Sequence, residues 1–521
     1  MKNNYFKLLV SIVFTGSLAV SCSLDYDPVS TFSDVTEGTP EASIQPIFRD
    51  RDAAVNAMTT LQRRFWNGQE HWMEDMLILN DNRSDNSYIG TYGTELFGFS
   101  DNSIEGSNNA LVRDWTNHMG NIARANNMIW GVEPLSDMND AEKRNFKAQA
   151  KIFRAMVYFD MVRIWGNVPL ITTLGNPITS ESISEVYAQY FPSQSDELTL
   201  YKQIEQDLLD GLQDAPEDPP ALRDKTLRGN VFSKNVARAL LAKMYAEKPL
   251  RDYDKVIKYA DELAAAGFVL VDDYELLWGV ILEDPSLPPG PDNRAIDANR
   301  YSMESIYEAA YFVGAINWFS WLYTRPLDNW HYQFDWAKYS TPSRNIISEF
   351  NSEGEGADKR YAQSVVWYSC GWTVHYPMEN TPFVYKCRSQ FSSFIKMRYA
   401  DILLLKAEAL IGKGDFNGAA EIVNLTRNRA GLGDLPPSAT ASKDAILAAY
   451  MKERRLELAF EGQRWFDLVR LDKVEEVMNT ANDRDPDRLK LAYPFDENSY
   501  LMPIPATAMD QNPNLVQNPG Y

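Results

Sequence analysis

The sequence predicts a mainly α-helical protein, in which paired helices form a scaffold around an irregular insert of loops and short strands. Three observations predict it. Apolar residues recur at spacings of three and four through several long stretches, as on one buried helix face. Two of those stretches, residues 239–267 and 402–431, follow one plan: a helix with small residues, a short break, an Asp-aromatic-Asx step and a second helix. Between them that pattern stops, and residues 270–395 hold LPPGPDN and seven of the 13 tryptophans, at 278, 318, 321, 330, 336, 367 and 372.

The elements follow in chain order. MKNNYFK supplies two lysines and no acid, and LLVSIVFTGSLAV is an apolar run too short to span a membrane, so residues 1–21 read as a secretory leader. LAVSC resembles a bacterial lipobox, which implies acylation of Cys22; plain cleavage and release is the alternative. Residues 22–48, rich in Asp, Ser, Thr and Pro, form an extended tether from that cysteine. An N-terminal helical part, 49–269, begins with DAAVNAMTTLQRRFW and carries an irregular segment at 80–109. Within it, Ile152, Met156, Phe159 and Val162 or Arg163 mark one face of a helix over 141–166, stopped by Gly166 and Pro169. The two repeated units have tetratricopeptide grammar, in which small residues let paired helices approach and the aromatic fills the gap. The insert spans 270–395, and a C-terminal helical part spans 396–521. Long irregular segments inside a helical protein usually carry function.

Composition excludes several roles. With 521 residues and 45% hydrophobic content, the chain can bury a sizeable core. A formal net charge of −21 argues against a nucleic-acid partner, which needs basic patches. No nucleophile elbow, phosphate loop or H-E-x-x-H is present, and His71, His118, His331 and His375 are scattered. No metal or other cofactor is therefore expected. Cys370 and Cys387 could pair or stay as free thiols, and with His375 they make a poor zinc pattern. Residues 81–86 and 482–488 space oxygen ligands as calcium loops do, but lack the Gly and distal Glu of an EF-hand, and read as solvated acidic loops. EGQRWFDLVR, residues 461–470, follows a helix whose Glu453 and Arg454 lie opposite its apolar residues. Arg464 and Asp467, three apart, can pair with each other or with neighbouring helix ends, so the stretch reads as an ion-paired helix junction.

Five segments in order give the chain a family resemblance: RAMVYFDMVRIWGNVPLI (154–171), RGNVFSKNVARALLAKMYAE (228–247), MRYADILLLKAEAL (397–410), ERRLELAFEGQRWFDLVR (453–470) and the ending YLMPIPATAMDQNPNLVQNPGY. Together they resemble the SusD/RagB family, surface glycan-binding lipoproteins of Bacteroidetes. The resemblance implies a tetratricopeptide-like scaffold that is not an enzyme. It also implies lipid anchorage at the outer surface of the outer membrane, where the protein captures oligosaccharide for a SusC-like TonB-dependent transporter. Asp25 and Asp27 are similar to acidic surface-export signals of these bacteria.

Sugars stack their C–H faces on aromatic rings while polar side chains satisfy their hydroxyls. The family builds its site from an N-terminal irregular loop and a mid-chain insert, here 80–109 and 270–395. The expected ligand contacts are Arg83, Asp85, Tyr88 and Tyr92 from the first, and Trp318, Trp321, Tyr323, Trp330 and Trp336 from the second, at least two of them lining a surface cleft. A lipid-anchored glycoside hydrolase is one alternative and would need opposed carboxylates. A peptide- or protein-binding helical scaffold is the other.

Overall fold

A computed structural model describes residues 46–68, 71–72, 78–89, 96–175, 183–222, 231–278, 301–311, 340–369, 375–386 and 393–521. Cys22, Cys370 and Cys387 lie outside the described residues. Residues 175–190, with the helix Ile183–Tyr190, belong to one compact unit; all features below lie in the other, residues 46–174 and 191–521.

Most principal helices start where a short polar side chain can take a free backbone N–H. Asp50 caps α1 (Arg51–Gln62), Asn108 caps α2 (Asn109–Gly131), and Asn139 caps α3 (Asp140–Trp165). Asp196 caps α4 (Glu197–Asp214), Ser233 caps α5 (Lys234–Ala246), and Asp252 caps α6 (Tyr253–Ala265). Ser343 caps α7 (Arg344–Phe350). Then come α8 (Tyr399–Lys413), closed by Gly414 at φ 84, and α9 (Phe416–Arg429), capped by Asp415. Ser442 caps α10 (Lys443–Glu457), and α11 (Arg464–Arg470) follows.

Short antiparallel pairs stitch the helices together. β1 (Ser87–Tyr88) pairs with β5 (Thr341–Pro342), and β2 (Val168–Pro169) with β3 (Gln194–Ser195). β4 (Ser305–Ala309) pairs with β8 (Phe394–Arg398), and β6 (Val365–Tyr368) with β7 (Thr381–Val384). The β4–β8 pair returns both sides of the insert to the helical core.

Helix α3 is the central element. Its predicted stripe of Ile152, Met156 and Phe159 is buried, with Val162 rather than Arg163 completing it, but so is nearly every residue from Ala148 to Trp165. A helix covered on all sides belongs in the core of a large domain, and here α2 and α4 flank it. Gly211 of α4 permits that approach, since a Cβ there would meet Ile152 Cγ1 at 2.4 Å.

The two repeated units, far apart in sequence, meet in space: α5 pairs with α6, α8 with α9, and α6 packs on α8. The aspartate of each Asp-aromatic-Asx step is the N-cap of the second helix, Asp252 accepting from Lys255 N and Asp415 from Gly418 N. The aromatic of the first step seats the two units, because Tyr253 lies against Gly412 so closely that a Cβ would fall 2.1 Å from Tyr253 Cε2. Gly412→Ala is expected to cost about 1–3 kcal/mol by overpacking, read from the denaturant midpoint. An unchanged midpoint would mean that the ring yields freely.

EGQRWFDLVR is an ion-paired helix junction, and its charges are buried. Arg464 pairs with Asp85 at 2.9 Å rather than with Asp467. Asp467 instead holds Arg454 at 2.8 Å and Arg470 at 2.8 Å. Arg454 also reaches Asp401 at 2.6 Å, and Arg470 reaches Glu408 at 2.9 Å. Gly462, at φ 70, brings its N–H to Asp81 at 2.7 Å. The face of α10 carrying Glu453 and Arg454 is therefore interior too: Glu453 pairs with buried Arg360 at 2.6 Å. Beside it Arg398 binds Glu304, Glu457 and Glu461 at 2.7, 2.6 and 2.8 Å.

A second buried polar cluster sits among aromatics. The His71 and His118 rings lie 4.2 Å apart, with Trp72 and Trp165 against His118. His71 Nδ1 faces Asp114 at 3.1 Å, whereas neither nitrogen of His118 has a hydrogen-bond partner among the described residues. Burial drives His118 down to about 3 and His71 well below its ordinary value. Both stay neutral when folded, so the unfolded chain takes up their protons as pH falls below about 6.5, and stability drops by about 1.4 kcal/mol per pH unit per group. His118→Phe is expected to flatten that slope by one proton between pH 6.5 and 5 in denaturant titrations. A slope equal to the wild type would show that His118 does not contribute.

Candidate functional site

The segment expected to face a ligand is interior. Every described residue from Asn80 to Ile89 is buried. Arg83 donates through Nη1 to Met502 Sδ at 2.9 Å and lies 4.3 Å from the Trp465 ring centroid. Asp85 binds Arg464, Arg455 at 3.1 Å and Arg484 at 3.5 Å. Tyr88 donates its hydroxyl to Asp485. The expectation that Arg83, Asp85 and Tyr88 contact ligand is thus corrected: all three are spent on the protein interior. Residues 81–86 are likewise no solvated loop, although Asp487 of the second acidic stretch is exposed. Tyr92, Trp318, Trp321, Tyr323, Trp330 and Trp336 lie outside the described residues.

The buried segment nonetheless positions a half-exposed face above it. Ser343 Oγ donates to Asp85 O at 2.7 Å and accepts from Ile346 N, fixing the start of α7 over β1. Arg344, first residue of α7, donates its backbone N–H to the Tyr88 hydroxyl at 2.8 Å. Its guanidinium lies 4.2 Å from the Tyr376 ring centroid, donates to His375 O at 2.5 Å, and faces Asp487 at 3.3 Å. His375 packs 4.5 Å from Tyr88 and points Nε2 at Ile89 O, 2.6 Å away. Tyr376 donates to Pro342 O at 2.8 Å and meets Trp367 edge-on at 5.7 Å. Trp367, half-buried on β6, donates its indole N–H to Tyr361 at 2.8 Å.

Burial keeps these groups uncharged: it raises the Tyr88 and Tyr376 phenols and lowers His375. At neutral pH the face therefore presents rings, an amide at Asn345, and an arginine–carboxylate pair. The rings are locked by hydrogen bonds before any ligand arrives, which limits the entropy lost on stacking. The face adjoins, along the chain, segments 90–95 and 370–374. Trp367, Tyr376, Arg344 and Asp487 are not among the ligand contacts expected from sequence. The half-buried VVWY strand was the available signal for Trp367, whereas nothing local marks Arg344 or Asp487, which are brought together from distant segments.

Two family models match the chain: one described as SusD family over residues 318–521, and one described as starch-binding associating with outer membrane over residues 34–246. A SusD-like protein of Formosa agariphila is 26% identical over 454 residues, covering 81% of this chain and 82% of its own. A SusD superfamily protein from Bacteroides vulgatus superposes with a TM-score of 0.70 at 18% identity, covering 91% of this chain and 99% of that one. Surface glycan-binding protein A from Bacteroides thetaiotaomicron, solved in complex with laminarihexaose, gives 0.68 at 18% identity, with coverages of 90% and 99%. At these identities the structural likeness establishes the fold.

Proposed function

The chain belongs to the SusD/RagB family, and on that premise we propose that it binds carbohydrate at the outer surface of the outer membrane. The Trp367–Tyr376–Arg344 face captures an oligosaccharide without making or breaking a bond. A lipid on Cys22 holds the protein at the membrane, and a SusC-like TonB-dependent transporter takes over the sugar. The observation that carries this reading is the half-exposed set of hydrogen-bonded rings backed by an arginine–carboxylate pair. Rings offer stacking area and the flanking polar atoms fix hydroxyls. Supporting it are the starch-binding description of one matching family and the laminarihexaose bound to a structural neighbour.

Two acids described at the face are engaged, Asp485 by Tyr88 and Asp487 by Arg344, which suits binding better than acid–base chemistry. Calorimetric titration of soluble protein beginning after Cys22, against a broad panel of oligosaccharides, is expected to give micromolar binding to at least one sugar. Chromatography of that sugar after prolonged incubation is expected to show no cleavage. Hydrolysis by the pure protein would overturn the reading.

A further inference from the structure

We propose that Arg484, on the NDRDPDR stretch at residues 482–488, is a further ligand-binding residue of this face. With the Asn345 amide it takes two adjacent acceptor oxygens of the sugar, a vicinal diol or a uronate carboxylate; this rests on the carbohydrate reading above and adds a polar subsite to it. Residues 484–488 are pinned from below by two side chains. Asp485 is buried and accepts from the Tyr88 hydroxyl and from Asn345 N at 3.4 Å. Arg488 is buried and donates to the carbonyls of Asn82, Ser84 and Ser87. Beside these anchors two side chains face outward, Arg484 at 36% exposure and Asp487 at 62%. A loop fixed in this way presents its outward groups with little entropy left to lose.

Arg484 joins the face through Asn345. Its Nη1 donates to Asn345 Oδ1 at 3.1 Å, and Asn345 follows Arg344, whose guanidinium lies over Tyr376. Nη2 donates to Val477 O at 2.5 Å, and Nη1 also lies 3.5 Å from Asp85 Oδ2. These contacts fix the guanidinium, while its Nε–H has no partner among the described residues. Because Arg484 occupies the Asn345 amide oxygen, the Nδ2 N–H bonds beside it remain for a ligand. Support of Asp85 does not account for this side chain. Asp85 already pairs with Arg464 at 2.9 Å and Arg455 at 3.1 Å, and the Arg484 contact is at the limit of a hydrogen bond. Two neighbouring donors, one of them on a charged planar group, match a pair of adjacent oxygens.

The test is calorimetric titration of soluble protein beginning after Cys22, with size-matched neutral β-glucan, α-glucan, xylan and mannan oligomers and with an oligogalacturonate. For every sugar that the wild type binds, Arg484→Ala is expected to raise Kd about tenfold or more, and Asn345→Ala several-fold. Arg484→Lys keeps the charge but places a methylene where Nε stands. It is expected to match the alanine variant for a neutral sugar and to recover part of the affinity for the oligogalacturonate, a recovery that added salt should remove. The denaturant midpoint shows that each variant is folded; were Arg484→Ala to unfold, Arg484→Lys against a neutral sugar carries the test. Arg484→Ala binding within about twofold of wild type, while Trp367→Ala weakens the same sugar, overturns this inference and leaves the carbohydrate reading standing. Binding of no sugar in the panel removes the carbohydrate reading and this inference with it.

Discussion

Asp85→Asn is expected to lower the unfolding free energy by about 3–5 kcal/mol, the typical penalty for breaking a buried ion pair on one side. Asp85 is buried and faces Arg464, Arg455 and Arg484. Asparagine keeps the volume but leaves the Arg464 guanidinium buried without its counter-charge and Arg455 with only Glu349, 3.9 Å away. Burial by itself would raise the Asp85 carboxyl; Arg455 and Arg464 overcome that and hold it well below the usual carboxylate range. A carboxyl with a depressed folded pKa stabilises above its unfolded value, 3.8, and loses that contribution as pH falls through it. The gap between wild type and variant should therefore be full at pH 7 and shrink below about pH 4. Denaturant unfolding at both pH values reads it. A loss under about 1 kcal/mol at pH 7 would show the pairing to be idle. Should Asp85→Asn fail to fold, the double variant Asp85→Leu with Arg464→Met, which removes two opposite charges at once, is expected to recover part of the stability.

Trp367→Ala and Tyr376→Ala are each expected to weaken oligosaccharide binding by about 2 kcal/mol or more, roughly 30-fold in Kd, as loss of an aromatic anchor commonly does. Trp367 offers a half-buried indole on β6, and Tyr376 both meets it edge-on and carries the Arg344 guanidinium. Tyr376→Phe keeps the ring and loses only the bond to Pro342 O, so it should retain most of the affinity. Leu425→Ala, at an exposed position on α9, serves as control. Circular dichroism and the denaturant midpoint separate lost binding from lost fold. Affinity unchanged in both alanine variants would place the ligand elsewhere and remove this face from the proposed site.

The helices and the family were legible in the chain because their signals are local. A cap such as Asp252 or Asp415 acts within three residues, and an apolar repeat declares a helix within two turns. The ion-paired character of EGQRWFDLVR could be read the same way, from alternating charges beside packing residues. What failed was the inference from polarity to exposure. NDNRSDNSY has the composition of a solvated loop, yet Asp81 meets the backbone of Gly462, Asn86 accepts from Arg455 at 2.9 Å, and Arg488 closes on three carbonyls. Polar groups can be buried once each finds a partner, and those partners lie hundreds of residues further along.

By itself, then, the sequence determined which segments coil, where each helix starts, and which lineage of folds the chain joins, since those depend on neighbours within a few positions. Only the tertiary structure decided which charges are interior and which rings stand at the surface. It buried Arg83 against Trp465 and Met502, and set Asp85 and Tyr88 under a face formed by Arg344, Trp367, Tyr376 and Asp487. The physical reason is distance along the chain: burial of a charge is settled by the counter-charge that arrives from another element, and no local pattern records that meeting.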